Sequence, residues 1–467
     1  MSTMKPSSFL GAASSLLGTL VLASACQVAE RPNILVILCD DIGAHEIGLY
    51  GHEIHRTPHL DELGETGIWF TTGWSTPICH PTRFQLMTGQ YGHHNGVYHF
   101  PGRPGGPEKE NEGADDISGH LTFGKIFQQA GYATAMAGKW QLSGEHPTLI
   151  RETGFDTYRM WAYTHNLPEG EVHTGAWEGK KGAKTCRYWH PCIVEDGVHL
   201  QTSEDSYGPD MFCDFLIDFM GANKEKPFFA YYPMALTHGQ FFPSPDTTET
   251  VEDRFVHDKK KNWQANVEYT DKIVGRLTDT LDELGIRDNT LIIFVGDNGT
   301  GGDGKGRTTE RGARVPFIVS GPGIVKATGE CRQLVDLSDI VPTICEVAGI
   351  ELPAEQIIDG VSFAPYLRGD LEPRRDWIYT YLGTKRVVRT RRWLLENNSM
   401  SEFGQLYDCG ESRDGSGYQD VTDSDDPEVI AARERMLEIV ADKPVPVAKP
   451  KKRKGTETKD EVLVEGP

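Results

Sequence analysis

Four times in this chain a short apolar run ends on a polar residue able to do chemistry, and no other feature restricts the fold as much. Ile34 to Leu38 runs into Asp40-Asp41, and Tyr132 to Ala137 into Gly138-Lys139. Phe228 to Tyr232 leads through Pro233 to His238, and Leu291 to Val295 into Asp297-Asn298. Unbroken apolar runs suit strands buried on both faces of a parallel sheet. Helical patterns lie between them. Ile273, Val274, Leu277, Leu281 and Leu284 share one helical face that Gly285 ends, and Leu121 to Ala130 is closed by Gly131. This alternation predicts an α/β fold, a mostly parallel sheet sandwiched by helices. Such folds gather ligands at the carboxyl ends of their strands. Each polar residue above sits at that end, so the four places are expected to form one site.

The 467 residues suffice for one large domain and a smaller one. A boundary is expected where Arg368-Gly369-Asp370 precedes Pro373. Beyond it, strand-like Trp377 to Leu382, Arg386 to Arg389 and Trp393 to Leu395, then a helix from Pro427 to Val440, predict a C-terminal α+β subdomain with an antiparallel sheet. The expected division is a signal peptide at 1–25, a catalytic domain at 31–370, the subdomain at 376–441 and a disordered Pro- and Lys-rich tail at 443–467. Lys5, the apolar Phe9 to Leu22 and Ala23-Ser24-Ala25 have the order of an export signal, so the protein is expected in the periplasm or outside the cell. Cys26 follows directly and leaves a lipid anchor open. No later stretch reads as transmembrane.

A formal net charge of −21 argues against a nucleic-acid partner, so any anion site must be a local basic pocket. Nine cysteines cannot all pair; Cys186 and Cys192 flank a short aromatic loop and are candidates for a bridge, while Cys39 reads as an apolar filler within a strand. Residues 158 to 210 carry Trp161, His165, His173, Trp177, Tyr188, Trp189, His190 and His199 and read as a long loop insertion. Its rings either stack on sugar faces or pack as a lid on one another.

The stretch 78–89, ICHPTRFQLMTG, holds Cys79, Pro81 and Arg83 in the order Cys-x-Pro-x-Arg, and the run from Thr82 to Met87 reads as a helix stopped by Gly89. A nucleophile-sized side chain there faces unpaired backbone N–H donors, and Arg83 adds a fork of donors suited to a tetrahedral oxyanion. Asp40, Asp41, Asp297 and Asn298 supply only oxygen ligands, a set for Ca2+ or Mg2+ rather than zinc. Lys139 follows a buried strand, His238 follows another, and Lys305 lies in a Gly-rich loop that lacks the phosphate-loop pattern. Glu310 and Arg314 are expected to pair with each other.

The stretches RPNILVILCDDIG, TPICHPTRFQLMTG, AGKWQLSG, PFFAYYPMALTH, FVGDNG and GKGRTTERGARVPFIVSGPG occur in this order, and LYDCGESRDG is compatible with them. In these the chain resembles the formylglycine-dependent (type I, arylsulfatase-like) sulfatases of the alkaline-phosphatase superfamily, from Arg31 to about Val440. The resemblance implies hydrolysis of sulfate esters, with Cys79 oxidised to formylglycine by a maturation enzyme. It implies a divalent cation, Ca2+ or else Mg2+, held by Asp40, Asp41, Asp297 and Asn298 with the hydrate on residue 79. Arg83 would hold the nucleophile, Lys139 and Lys305 the sulfate oxygens, and His238 would protonate the leaving alcohol. One position departs. The family usually carries His two residues after the equivalent of Lys139, to take a proton as sulfate is expelled; Gln141 stands here and cannot act as a base. Another group, such as a His of the 158–210 insertion, then substitutes, or turnover is slow.

The expected substrate is a sulfated small molecule or glycan. Two other readings remain: a phosphomonoesterase or phosphodiesterase of the same superfamily, against which Cys-x-Pro-x-Arg argues, and a non-catalytic glycan-binding relative. A decayed site would be expected to have lost some of Cys79, Arg83, Lys139, His238 and Lys305, and all are present.

Overall fold

Strand β1 (Asn33–Cys39) is buried along its whole length. Its side chains alternate between two cores. Ile34, Val36 and Leu38 enter a cluster with Phe84, Phe123, Phe127 and Ile344, whereas Leu35, Ile37 and Cys39 enter one with Leu60, Leu216, Ile273 and Leu277. Helices therefore cover both faces, as an unbroken apolar run requires. Each such Ile, Leu or Val is worth about 1.5–3 kcal/mol when fully buried. The computed structural model describes residues 1–2, 31–100, 117–142, 149–163, 166–172 and 187–447. The export segment with Cys26, His165, His173, Trp177, the Cys186–Cys192 pairing and the tail from residue 448 fall outside the described residues.

The remaining strands of the main sheet are β2 (Ile68–Trp74), β3 (Ala133–Lys139), β4 (Thr157–Trp161), β5 (Ile193–Glu195), β6 (Val198–His199), β7 (Phe228–Pro233), β8 (Thr290–Gly296), β9 (Arg314–Val315), β10 (Phe317–Ser320) and β11 (Gly329–Asp336). Among the described residues they run in the order β11-β2-β10-β8-β1-β7-β3-β4-β5-β6, with β9 beside β2. The centre, β8-β1-β7-β3-β4, is parallel throughout. Antiparallel pairs join β10 to its neighbours and add β5 and β6 at the far edge.

That far edge corrects one expectation. Residues 158 to 210 are not a single loop: Thr157–Trp161 is a parallel strand beside β3, and 193–199 folds back as a hairpin. Aromatic and β-branched residues fit a pleated, half-buried surface, which explains why an aromatic-rich segment extends the sheet. The expected Glu310–Arg314 pair is also absent. The helix Glu310–Ala313 is a single turn, and Arg314 leaves it as the first residue of β9. Arg314 instead donates to Thr71 O at 2.8 Å and Asp414 O at 2.9 Å, while Glu310 pairs with Arg389 at 3.1 Å.

A second sheet follows: β12 (Trp377–Leu382), β13 (Lys385–Thr390), β14 (Trp393–Ser399), β15 (Gln405–Asp408) and β16 (Gln419–Asp420), antiparallel in sequence order. The helix Pro427–Ala441 closes it, setting Val429, Met436, Ile439 and Val440 against Tyr379, Tyr381, Val388 and Leu395. The sequence marks the first three strands; β15 and β16 are too short to show a period of two. Both sheets lie within the unit Arg31–Pro467. Among the described residues no helix is long and apolar enough to cross a membrane.

Candidate active site

The strand ends are tied to one another by backbone bonds, and this brings their polar residues together. The N–H of Asp297, just past β8, donates to Cys39 O at 2.8 Å. The N–H of Asp40 donates to Leu236 O at 2.8 Å, and that of Thr237 returns to Asp40 O at 2.7 Å. Thus the loop carrying His238 is fixed to the end of β1. Asp41 sits in the left-handed region at φ 60, and its N–H donates to Asp297 Oδ1 at 2.9 Å. Gly138 near the end of β3 has φ 120, and a Cβ there would lie 2.2 Å from Pro233 O. Only glycine lets β3 approach β7 so closely, and the next residue is Lys139.

Cys79 is the first residue of the helix Cys79–Thr88, which Gly89 ends at φ 70. Ile78 at the N-cap offers no side-chain cap, so the first N–H groups of this helix are left toward the site. Arg83, one turn on, is fully buried. It donates to Lys139 O at 2.7 Å and to Asp297 Oδ2 at 3.0 Å. Lys139 Nζ is paired with Asp40 Oδ2. Lys305 Nζ lies 2.6 and 2.8 Å from the two oxygens of Asp41, and Asn298 Nδ2 donates to Asp41 Oδ1 at 2.9 Å. His238 Nε2 is 3.8 Å from Asp41 Oδ2. Ligand atoms of Asp40, Cys79 and Asp297 lie within 4.8 Å of one another, as do those of Asp40, Asp41 and His238. All nine residues singled out in the sequence therefore meet at one rim of the main sheet.

Three carboxylates crowd this rim. Burial and the charge of Asp40 push Asp297 up to about 7, and the same two causes raise Asp41. Burial also opposes ionisation of Asp40, but Lys139, His238, Lys305 and Arg83 outweigh it and hold Asp40 well below the usual range. Burial raises the Cys79 thiol, which keeps it neutral and a weak nucleophile. Asp40 Oδ1 and Asn298 Oδ1 are buried with no hydrogen-bond partner. An orphaned buried oxygen costs about 1–3 kcal/mol. One is on Asp40, and with the Asn298 oxygen and the other two carboxylates it forms a donor set that fits a hard divalent cation.

Arg187 joins the site from the edge of the aromatic segment, and sequence reasoning missed it. Its Nη1 lies 2.6 Å from His238 Nδ1, and its guanidinium stacks 4.4 Å over the Trp161 ring. Nδ1 thus sits between a donor, Arg187, and an acceptor, Gly239 O, and Nε2 is the nitrogen turned toward the acids. Burial first, and then the Arg187 charge, push His238 well below the usual range. The only hint in the sequence was a cation set among aromatics, in Arg187-Tyr188-Trp189-His190.

Gln141, in the left-handed region at φ 53, has its Oε1 buried and unpartnered, and its backbone O lies 3.0 Å from His80 Nδ1. His199, one candidate to replace the missing base, is committed to Glu171 at 3.0 Å. Trp161, Tyr188 and Trp189 are 1%, 1% and 5% exposed. These rings pack inward, so stacking on a sugar is corrected for them.

A model described as Sulfatase matches residues 32–350, and one described as N-sulphoglucosamine sulphohydrolase, C-terminal, matches residues 305–439. The N-acetylgalactosamine-6-sulfatase of Rattus norvegicus is 28% identical over 436 residues, 87% of this chain and 79% of that protein. Arylsulfatase A of Homo sapiens is 30% identical over 393 residues, 80% of this chain and 74% of that protein. The solved structure of BT4656 in complex with its substrate D-Glucosamine-2-N, 6-O-disulfate superposes with a TM-score of 0.71 at 20% identity, covering 88% of this chain and 97% of that one. At that identity the likeness is one of fold.

Proposed function

This chain belongs to the sulfatase family and is a sulfuric ester hydrolase, and from that premise we propose that it cleaves sulfate esters of a carbohydrate through a formylglycine made from Cys79 and with one divalent cation. What carries the proposal is the meeting of Asp40, Asp41, Asp297 and Asn298 with Cys79 and three cationic side chains at one rim. The sulfated sugars in the names of the relatives support a carbohydrate substrate.

Cys79 Sγ stands where the oxygens of an aldehyde hydrate would be after conversion by the maturation enzyme. A cation bound by Asp40, Asp41, Asp297 and Asn298 would offset the carboxylates that Lys139 and Lys305 now neutralise, leaving both ammonium groups to a sulfate. Arg83 locks the helix carrying residue 79 against Asp297 and the end of β3. Once formed, the hydrate would supply the nucleophile for sulfur and the route by which the aldehyde returns as sulfate leaves. His238, with Nε2 toward the acids and Gly239 O beside Nδ1, would give the leaving ester oxygen its proton as the imidazolium that the charge of a bound sulfate ester favours. Gln141 cannot take the proton in the expulsion step.

Mass spectrometry of the tryptic peptide holding Cys79 tests the nucleophile, and hydrolysis of paired aryl sulfate and phosphate esters tests the ester. An aldehyde at residue 79 and chelator-sensitive sulfate release are expected. An unmodified thiol from a host that matures such sites, or a preference for phosphate, would overturn the proposal.

A further inference from the structure

Arg83, Lys139 and Lys305 are each paired with a carboxylate of the site: Asp297, Asp40 and Asp41. Arg187 is different. Its recorded partners are His238 Nδ1 at 2.6 Å and the faces of Trp161 and Tyr188 at 4.4 and 6.0 Å. Among the described residues no carboxylate lies within ion-pair distance of it. Arg187 thus faces none of the three carboxylates, whether these are held by the other three side chains or by the proposed cation. A guanidinium presents five donors, and among the described residues this one is bonded only to His238. The rings below it fix its plane and lower the local dielectric, which strengthens ionic hydrogen bonds at its free edge.

His238 lies between Arg187 and the acids, with Nδ1 toward the guanidinium and Nε2 toward Asp41. Resting on the proposed role of His238 as proton donor to the leaving oxygen, this places Arg187 on the leaving-group side of the ester. We infer that Arg187 is a specificity-determining residue that binds a second acidic group of the substrate, a sulfate or carboxylate on the leaving sugar or its immediate neighbour. The fork geometry of a guanidinium matches either oxyanion in bidentate fashion. The favoured substrate class is therefore a doubly acidic sulfated saccharide rather than a neutral aryl or sterol sulfate.

Paired substrates that differ only in the second anion test this. Suitable pairs are N-acetylglucosamine 6-sulfate against N-sulfoglucosamine 6-sulfate, and a neutral monosulfated disaccharide against the same unit bearing a uronate. The wild-type enzyme should prefer the doubly acidic member of at least one pair by about tenfold to a hundredfold in kcat/KM. The pair that shows the preference separates sulfate from carboxylate. Arg187→Met should abolish the preference chiefly through KM, and Arg187→Lys should restore part of it. Equal losses on both members would mean that Arg187 acts only through His238, and no preference in the wild type would equally overturn the inference. Should no sulfate ester be hydrolysed at all, the sulfatase mechanism itself fails. Calorimetric binding of the same pairs to Cys79→Ala, with and without Arg187→Met, then still reads the role of Arg187.

Discussion

The resemblance puts Gln141, two residues after Lys139, where a histidine would be expected. Its backbone is already left-handed and its carbonyl meets His80, so the side chain can change without moving the strand end. Gln141→His is expected to retain or raise the rate of sulfate release, measured as the slow phase after a burst of alcohol product. A large loss of rate would give Gln141 a role of its own. At this scale the sequence was most legible for residues whose chemistry is unusual where they stand. Asp-Asp also stands at 115–116 and 425–426 and Asp-Asn at 288–289, so what marked Asp40-Asp41 and Asp297-Asn298 was their place at the ends of apolar runs and their occurrence together with Cys-x-Pro-x-Arg. Arg187 was not marked, because an arginine beside Tyr and Trp is ordinary, and only its approach to His238 separates it from a surface cation.

Two small elements hold the site from outside. Gly138 permits the close passage of β3 against β7, and a Cβ there would meet Pro233 O at 2.2 Å with φ at 120. Gly138→Ala should cost about 2–5 kcal/mol through strain and overpacking, read as a lowered urea midpoint, and should displace Lys139 enough to lower kcat. An unchanged midpoint would show that the two strands can part without penalty. Glu46 ties three segments: it accepts from Trp263 at 3.1 Å and Thr300 at 2.9 Å and pairs with His45 at 3.1 Å. Burial opposes its ionisation, but these partners outweigh it and lower Glu46 to about 2. Between about 2 and 4.5 the unfolded chain therefore binds the proton that folded Glu46 refuses, and stability rises with pH across that window. The contribution is complete above it and lost as pH falls toward 2, on the order of 2 kcal/mol after allowance for screening. Glu46→Gln should lower Tm at pH 7 and converge with the wild type near pH 2; a gap that does not change with pH would sink this account. Element boundaries were legible where apolar periods ran long. Residues 158 to 210 were not, because aromatic residues serve a strand, a lid or a sugar platform equally well until the neighbouring strand is known.

Across the whole molecule the two sheets are joined by a buried ionic knot. Arg375, two residues before β12, donates to Asp336 Oδ2 at 2.6 Å at the end of β11 and pairs with Asp339, and Tyr91 OH donates to Asp336 Oδ2 at 2.7 Å. The Arg375 side chain is 7% exposed and each Asp 1%. Burial pushes Asp339 up to about 8 despite Arg375. Arg375→Met strands the Asp336 carboxylate without its cation, and the expected loss is about 3–5 kcal/mol in a single transition seen alike by tryptophan fluorescence and circular dichroism. A loss below about 1 kcal/mol would show that the knot contributes little to the join. In sequence Arg375 is one of six charged residues in the connection 368–376, with nothing to set it apart. By itself the sequence determined the layered sheet, the strand ends that carry chemistry and the types of atom those ends offer, since hydrophobic period and side-chain chemistry are local properties. Only the tertiary structure decided which oxygens are left without partners, which cations are already matched by carboxylates and which one is not. Those depend on distances of a few ångströms between residues 51 to 264 apart in the chain, and no local pattern carries them.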